Sequence, residues 1–132
     1  MINYKKLIKI SNSTNVGLKN VFTHKSILKN RKCGDQIHFE IIIKNHIFKD
    51  IRFESQSCIL CQASASILSR ELKNQNCLKF SSYKKNFKKK LSGAQKKNIL
   101  YKKFAIFFDP IYKIRKHCIL LPFDAIEKAI KK

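Results

Sequence analysis

Two alternating runs on either side of residues 44–46, one from Ile37 and one ending at Glu54, limit more narrowly than any other feature what this chain can fold into. Ile37, Phe39, Ile41 and Ile43 alternate with His38, Glu40 and Lys44, the period of a half-buried strand. Lys44-Asn45-His46 reads as a turn. Ile47, Lys49 and Ile51 then alternate with Phe48, Asp50, Arg52 and Glu54, which predicts the return strand of a hairpin. Val21–Leu28 reads as an earlier strand, so the first half is a small antiparallel sheet. After the polar Glu54–Ser57 the period changes. Ala63, Ala65, Ile67, Leu68 and Leu72 predict a helix with small residues where it packs closely. Asn76–Leu91 and Ile99–Phe108 read as further helical or irregular segments, and Asp109-Pro110 as a break. Ile119, Phe123, Ile126 and Ile130 give an amphipathic last helix, with Pro122 placed in its first turn. Asn3–Ile10 reads as a short helix with Tyr4, Leu7 and Ile8 on one side. Strands followed by helices predict an α+β fold in one domain, residues 1–132.

The material for a core is present: 44% of the 132 residues are apolar, among them 10 Phe and 19 Ile. No apolar run approaches the ~18 residues of a membrane span. The opening MINYKKLIKI lacks the apolar stretch of a secretory signal, so a cytoplasmic protein is expected. The net charge of +21 suggests nucleic acid at first sight. Yet the bases are 25 Lys and only 4 Arg, and Lys, Ile, Asn and Phe together fill 64 of the 132 positions. Their codons are A/T-rich, which explains much of the charge without a ligand. Arg, the residue suited to bidentate phosphate and guanine contacts, is scarce. A solubilising lysine surface is the favoured reading. Lys79–Lys103 holds ten Lys and no acid. It reads as a solvated face, the sharper alternative being a dock for an acidic partner.

Five cysteines, an odd number in a chain read as unexported, favour thiol or metal chemistry over a disulfide framework. Cys33 lies in a polar loop with Asp35 two positions on. Cys58 stands where the hairpin ends and a helix begins. Cys118, preceded by His117, opens the last helix. Helix N-termini favour anions, so Cys58 and Cys118 are placed to ionise. Three thiolates and a carboxylate would suit a four-coordinate zinc or iron. The competing reading is that a buried Cys is only a small hydrophobe, and the spacing matches no zinc-finger pattern. Cys58-x-x-Cys61 has no thioredoxin-like βαβ surroundings, so Cys61 is assigned to packing and Cys77 to structure. His24, His38 and His46 have no partner pattern and read as surface or strand residues.

The local sequences favour the chemical reading. Cys33-Gly34-Asp35 ahead of an alternating strand resembles the first motif of the iron–sulfur cluster assembly scaffolds of the SufU/IscU/NifU amino-terminal type. Phe53-Glu54-Ser55-Gln56-Ser57-Cys58, followed by Ala63-Ser64-Ala65-Ser66, resembles the second. Arg115-Lys116-His117-Cys118, followed by Leu121, Asp124, Ala125 and Ile126, is similar to the third. Asn15-Val16-Gly17 resembles the family's amino-terminal segment. The resemblance implies a three-stranded antiparallel sheet with helices packed on one face, and Cys33, Asp35, Cys58 and Cys118 converging at one exposed end. Ser57 departs from the family, which carries glycine before the second cysteine; a tighter or differently angled turn is expected there.

Two chemistries follow from the resemblance. In the scaffold branch the cysteines accept sulfur from a cysteine desulfurase and assemble a [2Fe–2S] cluster for downstream apo iron–sulfur proteins or cluster carriers. In the SufU branch the same ligands hold zinc and the protein relays sulfur, with Cys33 as acceptor. The 60 positions from Cys58 to Cys118, and Arg115 three before the last cysteine, resemble SufU-type proteins. His117, directly before Cys118, matches IscU, while the Leu-Pro-Pro-Val-Lys chaperone motif of IscU is replaced by Asp109-Pro110-Ile111-Tyr112-Lys113. The SufU-like reading is favoured, with His117 as an alternative ligand and Arg115 beside the ligand set. The alternative from another class is a basic nucleic-acid-binding protein with a structural zinc.

Overall fold

The computed structural model describes residues 4–12, 15–31, 34–92 and 99–131. Three antiparallel strands, β1 (His24–Lys29), β2 (Gln36–Lys44) and β3 (Ile47–Gln56), lie in the order β1-β2-β3. Asn45 and His46 join β2 to β3 with φ of 53° and 64°, the two-residue turn whose twist suits a hairpin. Four α-helices follow the pattern of the sequence: α1 (Tyr4–Ser11), α2 (Ile59–Leu72), α3 (Phe80–Leu91) and α4 (Lys116–Ile130). Helix α2 packs under β3, and α4 under β1 and β2; α1 lies against α2, and α3 against α4. The α+β architecture with helices on one face of the sheet is therefore as expected.

The opposite face of the sheet is crossed by residues 17–23. Glu40 on the central strand is 5% exposed because its Oε1 accepts the backbone N–H groups of Lys19 and Asn20, each at 2.9 Å. This crossing occupies Val21, which the alternation had placed in a strand, so β1 begins only at His24.

Three further expectations are corrected. The return strand does not keep one alternation. Ile42 pairs with Asp50 but Ile43 with Phe48, which leaves Lys49 as the extra residue of a bulge. The bulge turns Phe48 into the core beside Ile51 and Phe53, and Lys49 out to solvent. In α1 only Leu7 and Ser11 are buried, while Tyr4 and Ile8 are 58% and 52% exposed. The helix meets α2 along one narrow i, i+4 strip, and the Ser66 hydroxyl ties it there by donating to Ser11 O at 2.9 Å. Finally, Pro122 sits inside α4 rather than in its first turn, because a 3₁₀ segment, Pro110–Arg115, runs straight into a helix that starts at Lys116. Proline has no N–H to offer the carbonyl of Cys118 four residues back. One residue on, Ile119 O is secured from outside the helix by the Ser64 hydroxyl at 2.7 Å.

Between α3 and α4 the core is aromatic. Phe87 stacks on Phe123 with centroids 4.3 Å apart and meets Phe104 at 4.9 Å; all three are fully buried. Phe104 comes from Ile99–Phe108, a 3₁₀ segment. The lysine-rich stretch is not entirely without acids around it. Lys84 reaches across to α4 and contacts Asp124 at 2.6 Å and Glu127 at 2.8 Å.

Candidate metal centre

Asp35, Cys58 and Cys118 come from three separate stretches of chain, and the sheet register brings the first two together. Gln36 opens β2 and Gln56 closes β3, and the two are cross-strand partners. Asp35 and Cys58 consequently leave the sheet at the same end. The Asn30–Asp35 loop is closed by Asn30 N–H to Asp35 O at 2.7 Å and Gly34 N–H to Asn30 O at 2.8 Å. Gly34 has φ +75°, and a Cβ there would meet nothing within 4 Å, so the backbone conformation rather than space favours glycine.

Cys58 is the N-cap residue of α2, with extended backbone. Ser57 before it has no left-handed backbone; its hydroxyl bonds Ser55 Oγ at 2.9 Å. The turn therefore forms without the family's glycine. Cys118 is the third residue of α4, and the Ser64–Ile119 bond ties the second turn of α2 to the first turn of α4. The small Ala63–Ser66 positions were legible as close packing. That one hydroxyl would steady the turn bearing Cys118 was not, because it depends on which carbonyl lies opposite.

One ligand atom from each of Asp35, Cys58 and Cys118 lies within 4.8 Å of the others. Asp35 is 7% exposed. Its Oδ1 accepts the Cys58 N–H at 3.3 Å, and its Oδ2 is buried with no hydrogen-bond partner among the described residues. A buried carboxylate oxygen without a donor is costly unless a cation answers it. The Cys58 thiol is lowered to about 6, chiefly by a hydrogen bond with Cys118. Burial opposes that shift, backbone bonds at Cys61 and Leu60 reinforce it, and the Asp35 charge works against it. A thiol this acidic is mostly thiolate at neutral pH, the form that binds metal and attacks sulfur. Two sulfurs and one oxygen, a preformed thiolate and an unanswered acceptor fit zinc or iron.

Cys33 falls outside the described residues. His117 is half-buried and is not among the three converging ligand atoms; Arg115 is exposed. Cys61 is fully buried in α2, in keeping with packing. Cys77 is half-buried, and burial pushes its thiol up.

A three-stranded α+β domain with a thiolate–carboxylate centre where two helices begin defines a recognisable class of protein. The family described as the NifU-like N terminal domain matches residues 3–132, and the chain belongs to it. It is 27% identical over 105 residues to the iron-sulfur cluster assembly scaffold protein IscU of Thermotoga maritima, covering 79% of this chain and 74% of that one. It is 25% identical over 107 residues to the zinc-dependent sulfurtransferase SufU of Bacillus subtilis, covering 80% and 73%. Among solved structures, the fold matches the Fervidobacterium islandicum AW-1 SufU protein with TM-score 0.81 at 22% identity, over 93% of this chain and 92% of that one. It also matches an amino-terminal NifU-like protein of Brucella abortus with TM-score 0.82 at 20% identity, over 96% and 90%.

Proposed function

We propose that this protein accepts sulfur from a cysteine desulfurase for iron–sulfur cluster assembly, with zinc held by Cys33, Asp35, Cys58 and Cys118. The observation that carries the reading is the convergence of Asp35, Cys58 and Cys118, with an orphaned Asp35 oxygen and an acidified Cys58 thiol. Zinc at such a site supplies redox-silent Lewis acidity that holds cysteines as thiolates. A single carboxylate among sulfurs is the harder ligand, which suits a ligand set that must open.

The chain's own part is nucleophilic. A thiolate, Cys33 in this reading, attacks the outer sulfur of the donor's cysteine persulfide. The donor's sulfur–sulfur bond breaks, its cysteine leaves as thiolate, and the outer sulfur, with its proton, now forms a persulfide on this chain. The relative named as a zinc-dependent sulfurtransferase supports zinc, and the relative named as an IscU scaffold supports the second reading, in which iron and sulfide are assembled at the same residues. Metal analysis of freshly purified protein, aerobic and anaerobic, separates the two. Trapping the persulfide by alkylation after incubation with desulfurase and cysteine tests both. A persulfide on Cys33 supports the relay, and one on Cys118 with none on Cys33 favours the scaffold. No persulfide on any of Cys33, Cys58 and Cys118, with an active desulfurase, refutes sulfur handling.

A further inference from the structure

The outer edge of β3 is covered along most of its length and, among the described residues, open beside the candidate metal centre. Near the hairpin, Phe48 N–H donates to Gln75 O at 2.9 Å, and Phe48 O accepts from Asn74 N–H at 2.8 Å. Further along, the Asn15 side chain donates to Ile51 O at 2.8 Å. Phe53 N–H donates to Asn15 O at 3.0 Å, and Gly17 N–H donates to Phe53 O at 2.7 Å, in a parallel bridge. Because Phe53 bonds outward, Ser55, two residues on, also directs its N–H and C=O away from β2. The chain turns off at Gly17 to cross the sheet, and no described residue pairs with the Ser55 backbone. Exposed strand edges are normally blunted, and here the cover ends at Phe53, leaving Ser55 open three residues before Cys58.

A groove of about 350 Å³ lies at this edge, lined by Gln36, His38, Glu54, Gln56 and Gln62, with Val16 at its margin. Its wall carries amide groups, which suit a peptide backbone. The Nε2 atom of His38 is buried with no hydrogen-bond partner among the described residues.

We infer that this edge receives an extended segment of the sulfur donor, which pairs with Ser55 as an added strand and carries its reactive cysteine toward Cys58. The occupant follows from continuity and position. Asn15–Gly17 already pairs with the same edge, and a strand prolonging it would run toward the thiolates. Main-chain pairing would then supply affinity largely independent of the donor's side chains, and the glutamines and His38 would meet its flanks. This inference rests on the sulfur-acceptor reading above.

The test uses the zinc-loaded full chain and an active cysteine desulfurase. Amide hydrogen exchange should show the Ser55 N–H protected in the complex and open in the chain alone. Ser55→Pro, which deletes the donor at an edge where proline is tolerated, should raise the half-saturating concentration for persulfide transfer about tenfold, the effect of one or two lost hydrogen bonds. Zinc content and the maximal rate should stay as in wild type. Ser55→Ala, which loses the hydroxyl contact with Ser57 as the Pro variant does but keeps the N–H, should keep the wild-type half-saturating concentration. A complex that transfers sulfur while Ser55 stays unprotected overturns the strand pairing and leaves the sulfur-acceptor reading standing. Equal loss in the Ala and Pro variants overturns it too. No complex and no transfer, with zinc bound, would overturn both.

Discussion

Removing the Cys118 thiol should change how Cys58 reacts in a way that depends steeply on pH. The hydrogen bond from Cys118 is the leading reason that Cys58 titrates at about 6 rather than the ordinary 9.0. Cys118→Ala, studied in metal-free protein carrying Cys33→Ser and Cys77→Ser, should return Cys58 toward that ordinary value. Cys61 is fully buried and stays silent in this background. At pH 7 a thiol at about 6 is ~90% thiolate and one near 9 is ~1%, a ratio of ~90. The less acidic thiolate is the better nucleophile, by ~20-fold across three units at a Brønsted slope of about 0.45. With the full return, Cys118→Ala should slow attack on a small disulfide only ~4-fold at pH 7. At pH 5 the thiolate ratio is ~900, and the slowing should reach ~40-fold. Above roughly pH 8 the order should invert, since the thiolate ratio there falls below the ~20-fold gap in intrinsic nucleophilicity. Stopped-flow rates against pH give both midpoints directly. Two parallel profiles, or a midpoint for Cys58 that stays near 6 without Cys118, would refute the assigned cause.

Asp35→Ala should weaken zinc at least tenfold in a chelator competition, since a ligand is lost and not merely its support; unchanged metal content and unchanged sulfur transfer would remove Asp35 from the site. Lys84→Met should cost about 1 kcal/mol in urea unfolding at pH 7, because one ammonium joins α3 to two carboxylates of α4. The Glu127 carboxyl is held low, chiefly by its bond to Lys84. Its contribution is thus present above the ordinary carboxyl range and lost as pH falls through the lowered value. Burial opposes the Lys84 charge, but the two carboxylates outweigh it and raise its pKa. That share is fully present below the ordinary lysine value and is lost as pH rises through the raised one. The wild-type advantage over Lys84→Met should therefore shrink at both extremes, and an advantage flat from pH 3 to pH 8 would contradict the pairing. Phe123→Ala should cost about 3–5 kcal/mol by the same assay, its ring being fully buried against Phe80, Phe87 and Phe104.

The hairpin was legible because β2 obeys a strict period of two over Ile37–Ile41, and a buried face leaves such a strand one register. Its return strand was only half legible. A bulge at Lys49 shifts the inward set by one residue, and no local composition announces it. Pro122 misled for a related reason: proline is commonest in a first turn, but α4 starts six residues earlier, where a 3₁₀ segment runs into it. At the site, Asp35, Cys58 and Cys118 were readable from motifs and element ends. The acidification of Cys58 by a cysteine 60 positions away was not, since a hydrogen bond between sulfurs depends on where two helices begin in space.

The placement of α4 has a consequence for biosynthesis. The helix supplies Cys118 and covers the sheet under β1 and β2, where the Ser26 hydroxyl reaches Ala125 O at 2.6 Å across 99 positions. Emerging after every other element, it leaves the apolar faces of Ile37, Phe39 and Ile41 bare in the nascent chain until it docks. Hairpin, central helix and two of the motif cysteines are by then already made, but no centre exists. The Asp35–Cys58–Cys118 group can thus assemble only once α4 has docked, so a chain stalled on the ribosome before that point offers dispersed thiols instead of a premature ion trap.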